Sequence, residues 1–298
     1  MSENSHDQRI GPESFRSGSY LYRVSSDNFF SKLVVSSGQQ SIAANIEWIM
    51  GAGVHGQTYI LESKGTLYES QVSFFSGLHG MDITPGHPPT EEGNLQNALG
   101  ERLSASTGSR CFACHTTAST TKNRFDPKRA TPGVTCEACH GPSLSHIVAA
   151  TMEQRDEAKA LILNPRSLSP VDSIDFCGAC HRTSVDVVMA QSYGVSNVRF
   201  QPYRLEKSRC WKTQADDRLL CIACHNPHEP LVRTASFYDQ QCLSCHRLRG
   251  EESGRSSNAP GAKASDLVCP KAMSECTNCH MPKYDVPGDA CEIYRSLH

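Results

Sequence analysis

Hydrophobic and polar residues alternate along two neighbouring segments in the first third of the chain. QTYILE (57–62) and TLYESQVSFF (66–75) are separated by three residues, Ser63-Lys64-Gly65. Alternation on both sides of a short polar connection predicts a β-hairpin. Residues 1–18 are polar and turn-rich, which predicts a flexible tail. Because no cysteine occurs in residues 19–108, we interpret them as a small β-containing N-terminal domain.

The pattern changes in residues 109–298, where short polar stretches rich in Pro and Gly separate cysteine clusters. One long helix is predicted there, over about Ser143–Leu163. It follows Gly141-Pro142, with Ser143 or Ser145 as N-cap, and ends before Asn164-Pro165. The fold class predicted for the whole chain is therefore mainly α and irregular, with β structure confined to the N-terminal domain.

The composition is poor in core-forming residues for 298 residues, with 38% hydrophobic and 7% aromatic residues and a mean hydropathy of -0.44. The net charge of -2 and pI near 6.7 exclude a strongly basic nucleic-acid surface. The most apolar stretch, 41–54, is interrupted by Asn45 and Glu47. No transmembrane segment is therefore expected.

A Cys-x-x-Cys-His pentad occurs six times in the chain. The number expected by chance in a chain of this length is on the order of a few hundredths. Two cysteines three positions apart lie on one side of a helical turn, so both sulfurs can bond to a porphyrin edge while the histidine faces the iron. The predicted haem-attaching cysteines are Cys111, Cys114, Cys136, Cys139, Cys177, Cys180, Cys221, Cys224, Cys242, Cys245, Cys276 and Cys279. The predicted proximal ligands are His115, His140, His181, His225, His246 and His280.

Zinc knuckles and thioredoxin-like pairs also contain Cys-x-x-Cys. Neither explains why a histidine follows the second cysteine in all six motifs, so we predict six covalently attached haem c groups. Each porphyrin is a large apolar surface that can replace side-chain core. The predicted architecture of residues 109–298 is a haem-packed, hexahaem cytochrome c domain, largely unfolded without its cofactors.

Each haem needs a second axial ligand if its iron is to be bound on both faces. Seven histidines lie outside the motifs for six haems. His146 begins the predicted helix, and His228 follows the stiff Pro227. The remaining candidate distal ligands are His55, His87, His298 and His79; His6 is expected to be solvated unless it serves a neighbouring subunit. Methionine is the competing ligand type.

Four strings resemble the multihaem c-type cytochromes related to the tetrahaem cytochrome of nitrification: CEACHGPSLSH (136–146), NVRFQPYRLEKSRC (197–210), LLCIACHNPHEP (219–230) and CTNCHMPK (276–283). GAGVHGQTY and LHGMDITPGH resemble the haem-free N-terminal region of the larger members. The resemblance implies electron transfer through closely packed, mostly bis-histidine haems, with His146 and His228 as distal ligands. Relatives carry a histidine-bearing segment after the last motif, where this chain offers only Cys291 and His298.

Several residues outside the motifs have open alternatives. Cys210 and Cys269 are candidates for a disulfide in an oxidising compartment, with Cys291 a free thiol or a link to another chain. The side chains of Arg199, Arg204 and Arg209 either pair with haem propionates or form a solvated basic loop.

Three functions are compatible with the sequence. The first is an electron carrier exchanging electrons with redox partner proteins; the second is a multihaem oxidoreductase with one open haem, acting on a small nitrogen or sulfur species. The third is a subunit that self-associates into an oligomer or filament. The enzyme question stays open, although a bis-histidine count favours electron transfer. Haem c motifs indicate a periplasmic or extracellular location, while the N-terminus shows no apolar signal segment.

Overall fold

The structure is a computed structural model that describes residues 14–26, 30–88, 94–122, 124–190, 200–208, 211, 219–244 and 274–281. About 39% of these residues are helical and 29% are in strands. The prediction of a mainly α fold is therefore wrong. The N-terminal region forms a large antiparallel half-barrel sheet rather than a small β-containing unit.

The sheet has eight strands, and their order follows the chain from β1 to β7, with β8 paired to β6 beside β7. The strands are β1 (Ser14–Ser17), β2 (Tyr20–Ser26), β3 (Ser31–Ser37), β4 (Gln40–Met50), β5 (Gly56–Ser63), β6 (Thr66–Phe75), β7 (Gly80–Ile83) and β8 (Gly100–Arg102). Strand β1 lies within the segment that was predicted to be a tail.

The predicted hairpin is confirmed, because β5 and β6 pair in an antiparallel register that closes at Ser63 opposite Thr66. Alternate residues of the strands point to one side and form the main core. This core consists of side chains alone and includes Tyr20, Tyr22, Val24, Leu33, Val35, Ala44, Tyr59, Leu61, Val72, Met81, Ala98 and Leu99. The half-barrel therefore has a hydrophobic core of its own.

Ten α-helices and two short two-stranded ladders are described. The helices are α1 (Leu95–Ala98), α2 (Ala105–His115), α3 (Cys136–His140), α4 (Leu144–Thr151), α5 (Arg155–Ala160), α6 (Pro170–His181), α7 (Ser184–Ala190), α8 (Gln201–Lys207), α9 (Ala235–Leu243) and α10 (Cys276–His280). The ladders pair β9 (Thr116–Thr117) with β12 (Thr131–Pro132), and β10 (Thr120–Thr121) with β11 (Arg124–Phe125).

The single long helix predicted over Ser143–Leu163 is wrong, because the chain turns between α4 and α5. Glu153 has φ +60°, and the Gln154 N–H donates to the Ala149 carbonyl at 3.0 Å. This is the six-to-one hydrogen bond of a Schellman C-cap, which usually has glycine in the left-handed position. A non-glycine residue in this left-handed position costs roughly 1–2 kcal/mol. Because Glu153 occupies it, the sequence has no glycine that would have indicated the turn.

The chain divides into two compact units, with the boundary between Leu163 and Asn164. The first contains the sheet and motifs one and two; the second contains the described parts of motifs three to six. Within the described ranges, every helix is too short or too polar to cross a lipid bilayer.

Candidate haem-binding sites

The motifs occupy three kinds of local structure. Motifs one and three form the last turns of α2 and α6, whose first turns are capped by the Ser104 and Ser169 side chains. Motifs two and six are the whole of α3 and α10. Motif four begins as the 3-10 helix Cys221–Ala223, and Cys242 of motif five lies near the end of α9. The expected helical turn is present in motifs one, two, three and six, and motif four begins with a tighter 3-10 turn.

Motif one is anchored to the outer face of the sheet. Phe112, the second residue of CFACH, is fully buried, and its ring meets those of Trp48 and Phe125 edge-on, each at 5.0 Å between centroids. Met50 and Ile60 of the sheet complete this cluster, and Cys111 packs against it. The first haem motif therefore shares a hydrophobic core with the half-barrel.

Motifs one and two are joined through Thr117, which follows His115 by two residues. Its hydroxyl oxygen lies 3.0 Å from the Thr135 N–H and 3.1 Å from the Thr135 hydroxyl. The Thr117 hydroxyl also donates to the Gly133 carbonyl at 3.0 Å. Because Thr135 is the N-cap residue of α3, this side chain fixes where the second motif begins.

Motif two holds its proximal histidine through a backbone carbonyl. His140 Nδ1 lies 2.7 Å from the Leu163 carbonyl, and the Leu163 N–H donates to the His140 carbonyl at 3.2 Å. A carbonyl can only accept, so Nδ1 carries the proton and Nε2 keeps its lone pair. This is the orientation that haem ligation requires.

His146 has the same arrangement on the neighbouring helix. Its Nδ1 lies 2.8 Å from the Ala158 carbonyl of α5, so the proton is again on Nδ1 and the lone pair on Nε2. The turn at Glu153 brings α5 back along α4 and makes this contact possible. Two half-buried imidazoles in adjacent elements thus have the same contact between Nδ1 and a backbone carbonyl.

Glu137, the second residue of motif two, fixes the start of α4. Its Oε1 accepts hydrogen bonds from the Ser143 N–H at 2.8 Å and from the Ser143 hydroxyl at 2.7 Å. Hydrogen bonding, chiefly from the Ser143 side chain, lowers the pKa of Glu137. Gly141, with φ +75°, provides the turn between the two helices. Sequence reasoning treated Glu137 as a variable motif position and missed this role.

Motifs three and four lie side by side, although 44 residues separate their first cysteines. The Cys177 side chain hydrogen bonds to that of Cys221 and, as the main cause, lowers the pKa of Cys221 to about 6. The Cys221 N–H also reaches the Ser173 hydroxyl of α6 at 3.5 Å. Cys177 and Cys221 are the first cysteines of motifs three and four, so the predicted haem-attachment positions of these motifs are adjacent.

Motifs four, five and six are linked by residues of α9. The Tyr238 ring packs edge-on against the His225 imidazole, with 5.7 Å between centroids, and its hydroxyl donates to the Val232 carbonyl at 2.7 Å. Asp239 accepts hydrogen bonds from the N–H groups of Glu275 and Cys276, each at 2.7 Å. Motifs three to six therefore form a continuous series of contacts.

Desolvation favours the neutral form of several motif imidazoles by lowering their pKa. Desolvation lowers the pKa of His115 and of His181. Desolvation also lowers the pKa of His225, and repulsion from His181 lowers it further. A neutral imidazole is the form that binds a metal. The effect of His181 also indicates that the histidines of motifs three and four lie close together.

The other described distal candidates have different surroundings. His228 is exposed, and its backbone N–H donates to Asn226 Oδ1 at 3.1 Å. His79 is exposed in a turn with φ +48°, while His55 is half-buried and its carbonyl accepts the Ser76 N–H. The last two lie in loops at one end of the sheet.

His87 lies against the sheet with only 4% of its side chain exposed. Its Nδ1 is 3.2 Å from Gln71 Oε1, and its Nε2 is 3.4 Å from Glu69 Oε2. Since Gln71 Nε2 donates to the Pro88 carbonyl at 2.6 Å, Oε1 is the Gln71 atom that faces the imidazole. Both ring nitrogens of His87 therefore face acceptors within the protein.

Some predicted site residues lie outside the described residues. They are Cys245, His246, His298, His6, Cys210, Cys269, Cys291, Arg199 and Arg209. Arg204 is described and lies exposed in the last turn of α8.

The distribution of apolar side chains fits haem. Among the described residues after Asn164, the only large hydrophobic side chains that are buried are those of Ile174 and Val187. Many apolar side chains near the motifs are instead exposed, among them Val134, Leu144, Ile147, Val148, Met152, Val185, Val188, Met189, Leu231 and Met281. A porphyrin beside each motif would supply the missing apolar contacts.

The motifs do not combine into zinc-like sites in the part of the chain that the structure describes, where no three Cys, His, Asp or Glu side chains converge as ligands. A structural zinc needs four such ligands. No such set of four is found among the described residues.

Comparison with known proteins agrees with this chemistry. Residues 70–141, about a quarter of the chain, match the family described as "Cytochrome c554 and c-prime". The matched range extends from β6 of the sheet through motifs one and two. No curated protein and no solved structure is significantly similar to the chain. The match relates the chain to multihaem c-type cytochromes at a coarse level and supports covalently bound haem c and electron transfer.

Proposed function

We propose that this chain is a hexahaem c-type cytochrome that transfers electrons between redox partner proteins through closely packed, mostly bis-histidine haems. The observation that carries the proposal is the matched orientation of His140 and His146. Each donates its Nδ1 proton to a backbone carbonyl and presents Nε2 as a ligand. Haem iron with imidazole on both faces exchanges single electrons and has no vacant position for a substrate.

The chain's own residues would hold the cofactors in place. The twelve motif cysteines form the thioethers, and the six motif histidines are the proximal ligands. The contacts from Cys177 to Cys221, from His225 to Tyr238 and from Asp239 to Cys276 keep the last four motifs adjacent. Adjacent motifs support short electron-transfer distances between neighbouring haems.

We assign the distal positions first to His146 and His228, then to His55, His79 and His298. His87 fits this role less well, because both of its ring nitrogens face Gln71 and Glu69 and its side chain is almost fully buried. Ligation would require it to leave both partners.

This observation about His87 favours a second candidate function. If His6 is solvated and His87 stays in the sheet, five histidines outside the motifs remain for six haems. One haem would then have an open or weakly held axial position, as in a multihaem oxidoreductase acting on a small nitrogen or sulfur species. No described residue identifies the substrate.

A carbon monoxide experiment separates the two functions. The purified holoprotein is reduced, its spectrum is recorded before and after carbon monoxide is added, and haem is counted on the same sample. We expect six haems and no spectral change, because carbon monoxide binds readily only at an open or weakly held axial position. A change equivalent to one haem in six would support the oxidoreductase, and fewer than six haems would contradict the hexahaem proposal.

We further infer a periplasmic or extracellular location. The inference rests on the six haem c motifs, since haem is attached to such motifs outside the bacterial cytoplasmic membrane. Fractionation of cells that express the native gene tests it, with haem staining of each fraction. Haem-stained protein confined to the cytoplasm would contradict the inference.

A further inference from the structure

Asp239 carries a carboxylate in an unusual place, on the helix of motif five but in contact with motif six. It lies in α9, three residues before Cys242, and is only 6% exposed. A buried carboxylate is costly unless hydrogen bonds satisfy it. The partners of Asp239 therefore indicate its role.

Both carboxylate oxygens are used on the start of α10. Oδ2 accepts the Glu275 N–H and Oδ1 accepts the Cys276 N–H, each at 2.7 Å. Backbone N–H groups at the start of a helix have no partner within that helix. The Glu275 side chain, at the N-cap position, makes no capping hydrogen bond. Asp239 thus caps α10 from a different helix.

The backbone of Glu275 has a conformation that directs two N–H groups at the Asp239 carboxylate. Glu275 has φ +56° and ψ +34°, a left-handed conformation that non-glycine residues rarely adopt. Successive N–H groups flanking such a residue can converge on one anion and form a nest. The two short hydrogen bonds to Asp239 compensate for the strain, so the carboxylate and the conformation of Glu275 depend on each other.

The position of the charge relative to the sixth motif is also defined. Burial, followed by the hydrogen bond and the charge of Asp239, raises the pKa of Cys276 to about 11. The carboxylate is therefore beside the sulfur that forms a thioether. A fixed negative charge near a haem stabilises the ferric form, which carries one more positive charge than the ferrous form.

We propose that Asp239 is a positioning residue that holds the sixth motif against the fifth and lowers the reduction potential of the haem attached at Cys276–His280. This inference rests on the proposed function as a hexahaem electron carrier. Beyond that function, it assigns two effects to the Asp239 carboxylate: it fixes the position of motif six, and it lowers the reduction potential of the haem attached there.

The test compares Asp239→Asn with Asp175→Asn in the full-length holoprotein. Asparagine is nearly the same size, but it removes the charge and leaves one N–H of the nest facing an amide NH₂. Asp175 is a matched control, because it lies on a motif helix two residues before Cys177 and is exposed. The readouts are the haem count, peptide mass spectrometry of each motif and a spectroelectrochemical titration.

For Asp239→Asn we expect six haems and one raised potential, with the reduction equilibrium constant of that haem increased about three- to tenfold. A tenfold change corresponds to 59 mV for one electron. Asp175→Asn should leave the titration unchanged. Loss of haem from the Cys276–His280 peptide alone would also support the proposal, since an unheld motif is poorly loaded.

Two results would overturn the proposal. One is six haems in Asp239→Asn with every potential unchanged, or with shifts equal to those of Asp175→Asn. The other is haem loss spread over all motifs, which would mean that Asp239 serves folding in general. Failure of the proposed function itself is recognised separately, because it would appear in the unmodified protein as a haem count other than six.

Discussion

His140 and His146 are alike in one chemical respect, although only one belongs to a motif. Each imidazole has its tautomer fixed by a carbonyl from the segment after the Glu153 turn, Leu163 for the first and Ala158 for the second. The sequence predicts both histidines as ligands, the first by motif spacing and the second by its place after Gly141-Pro142. It could not identify the carbonyl partners, because they depend on a turn that has no glycine signal.

Replacing His146 with alanine tests its assignment as a distal ligand. We expect the reduced variant to keep six haems and to bind carbon monoxide at one of them, because one iron loses an axial ligand. The matched control is Lys159→Ala, an exposed change on α5 that leaves the imidazole in place. A variant with six haems and no response to carbon monoxide would rule out His146 as a ligand.

At the scale of elements, local sequence patterns predicted the β5–β6 hairpin. The starts of two helices depend instead on contacts between residues of different elements. The β5–β6 hairpin followed from alternation, whereas the other strands of the half-barrel were not predicted. Glu137 and Asp239 each fix the start of another helix. The partners of Asp239 lie more than 35 residues away in the chain. A local sequence pattern therefore cannot predict this contact.

The contact between Glu137 and Ser143 predicts a specific acid dependence. Hydrogen bonds from Ser143 lower the pKa of Glu137 below the ordinary value of 4.5 in the folded chain. The ionised carboxylate therefore stabilises the α3–α4 connection above pH 4.5, and this contribution is lost as the pH falls through the lowered pKa. We expect Glu137→Gln to remove this part of the acid dependence.

The measurement is hydrogen–deuterium exchange of the 136–151 peptide between pH 3 and pH 7, corrected for intrinsic exchange. At neutral pH the variant should exchange faster than the native protein, and the difference should shrink as the pH falls. Glu157→Gln, on α5, is the matched control. Equal protection of Glu137→Gln and the native protein at neutral pH would contradict the prediction.

At the scale of the whole molecule, the two units differ in what fills them. The half-barrel buries aromatic and aliphatic side chains from six of its strands and from α1. The described residues of the second unit bury few apolar side chains. The poor composition predicts that cofactor replaces side-chain core, but it does not indicate that the side-chain core is concentrated in one unit.

Removing haem should therefore affect the two units unequally. In a full-length chain with all twelve motif cysteines replaced by alanine, we expect the amides of β2–β6 to stay protected from exchange. Residues 164–298 should lose most of their helical signal in circular dichroism. The native holoprotein is the reference, and equal protection of both units in the haem-free chain would contradict the prediction.

The burial of Phe112 has a consequence for maturation. The half-barrel precedes the motifs in the chain and has a core of side chains alone, so we expect it to fold before the later residues do. Docking of α2 on the sheet buries Phe112 fully and half-buries Cys111 and Cys114. Because docking partly covers both cysteines of motif one, we expect attachment of haem there and docking of α2 to compete during maturation.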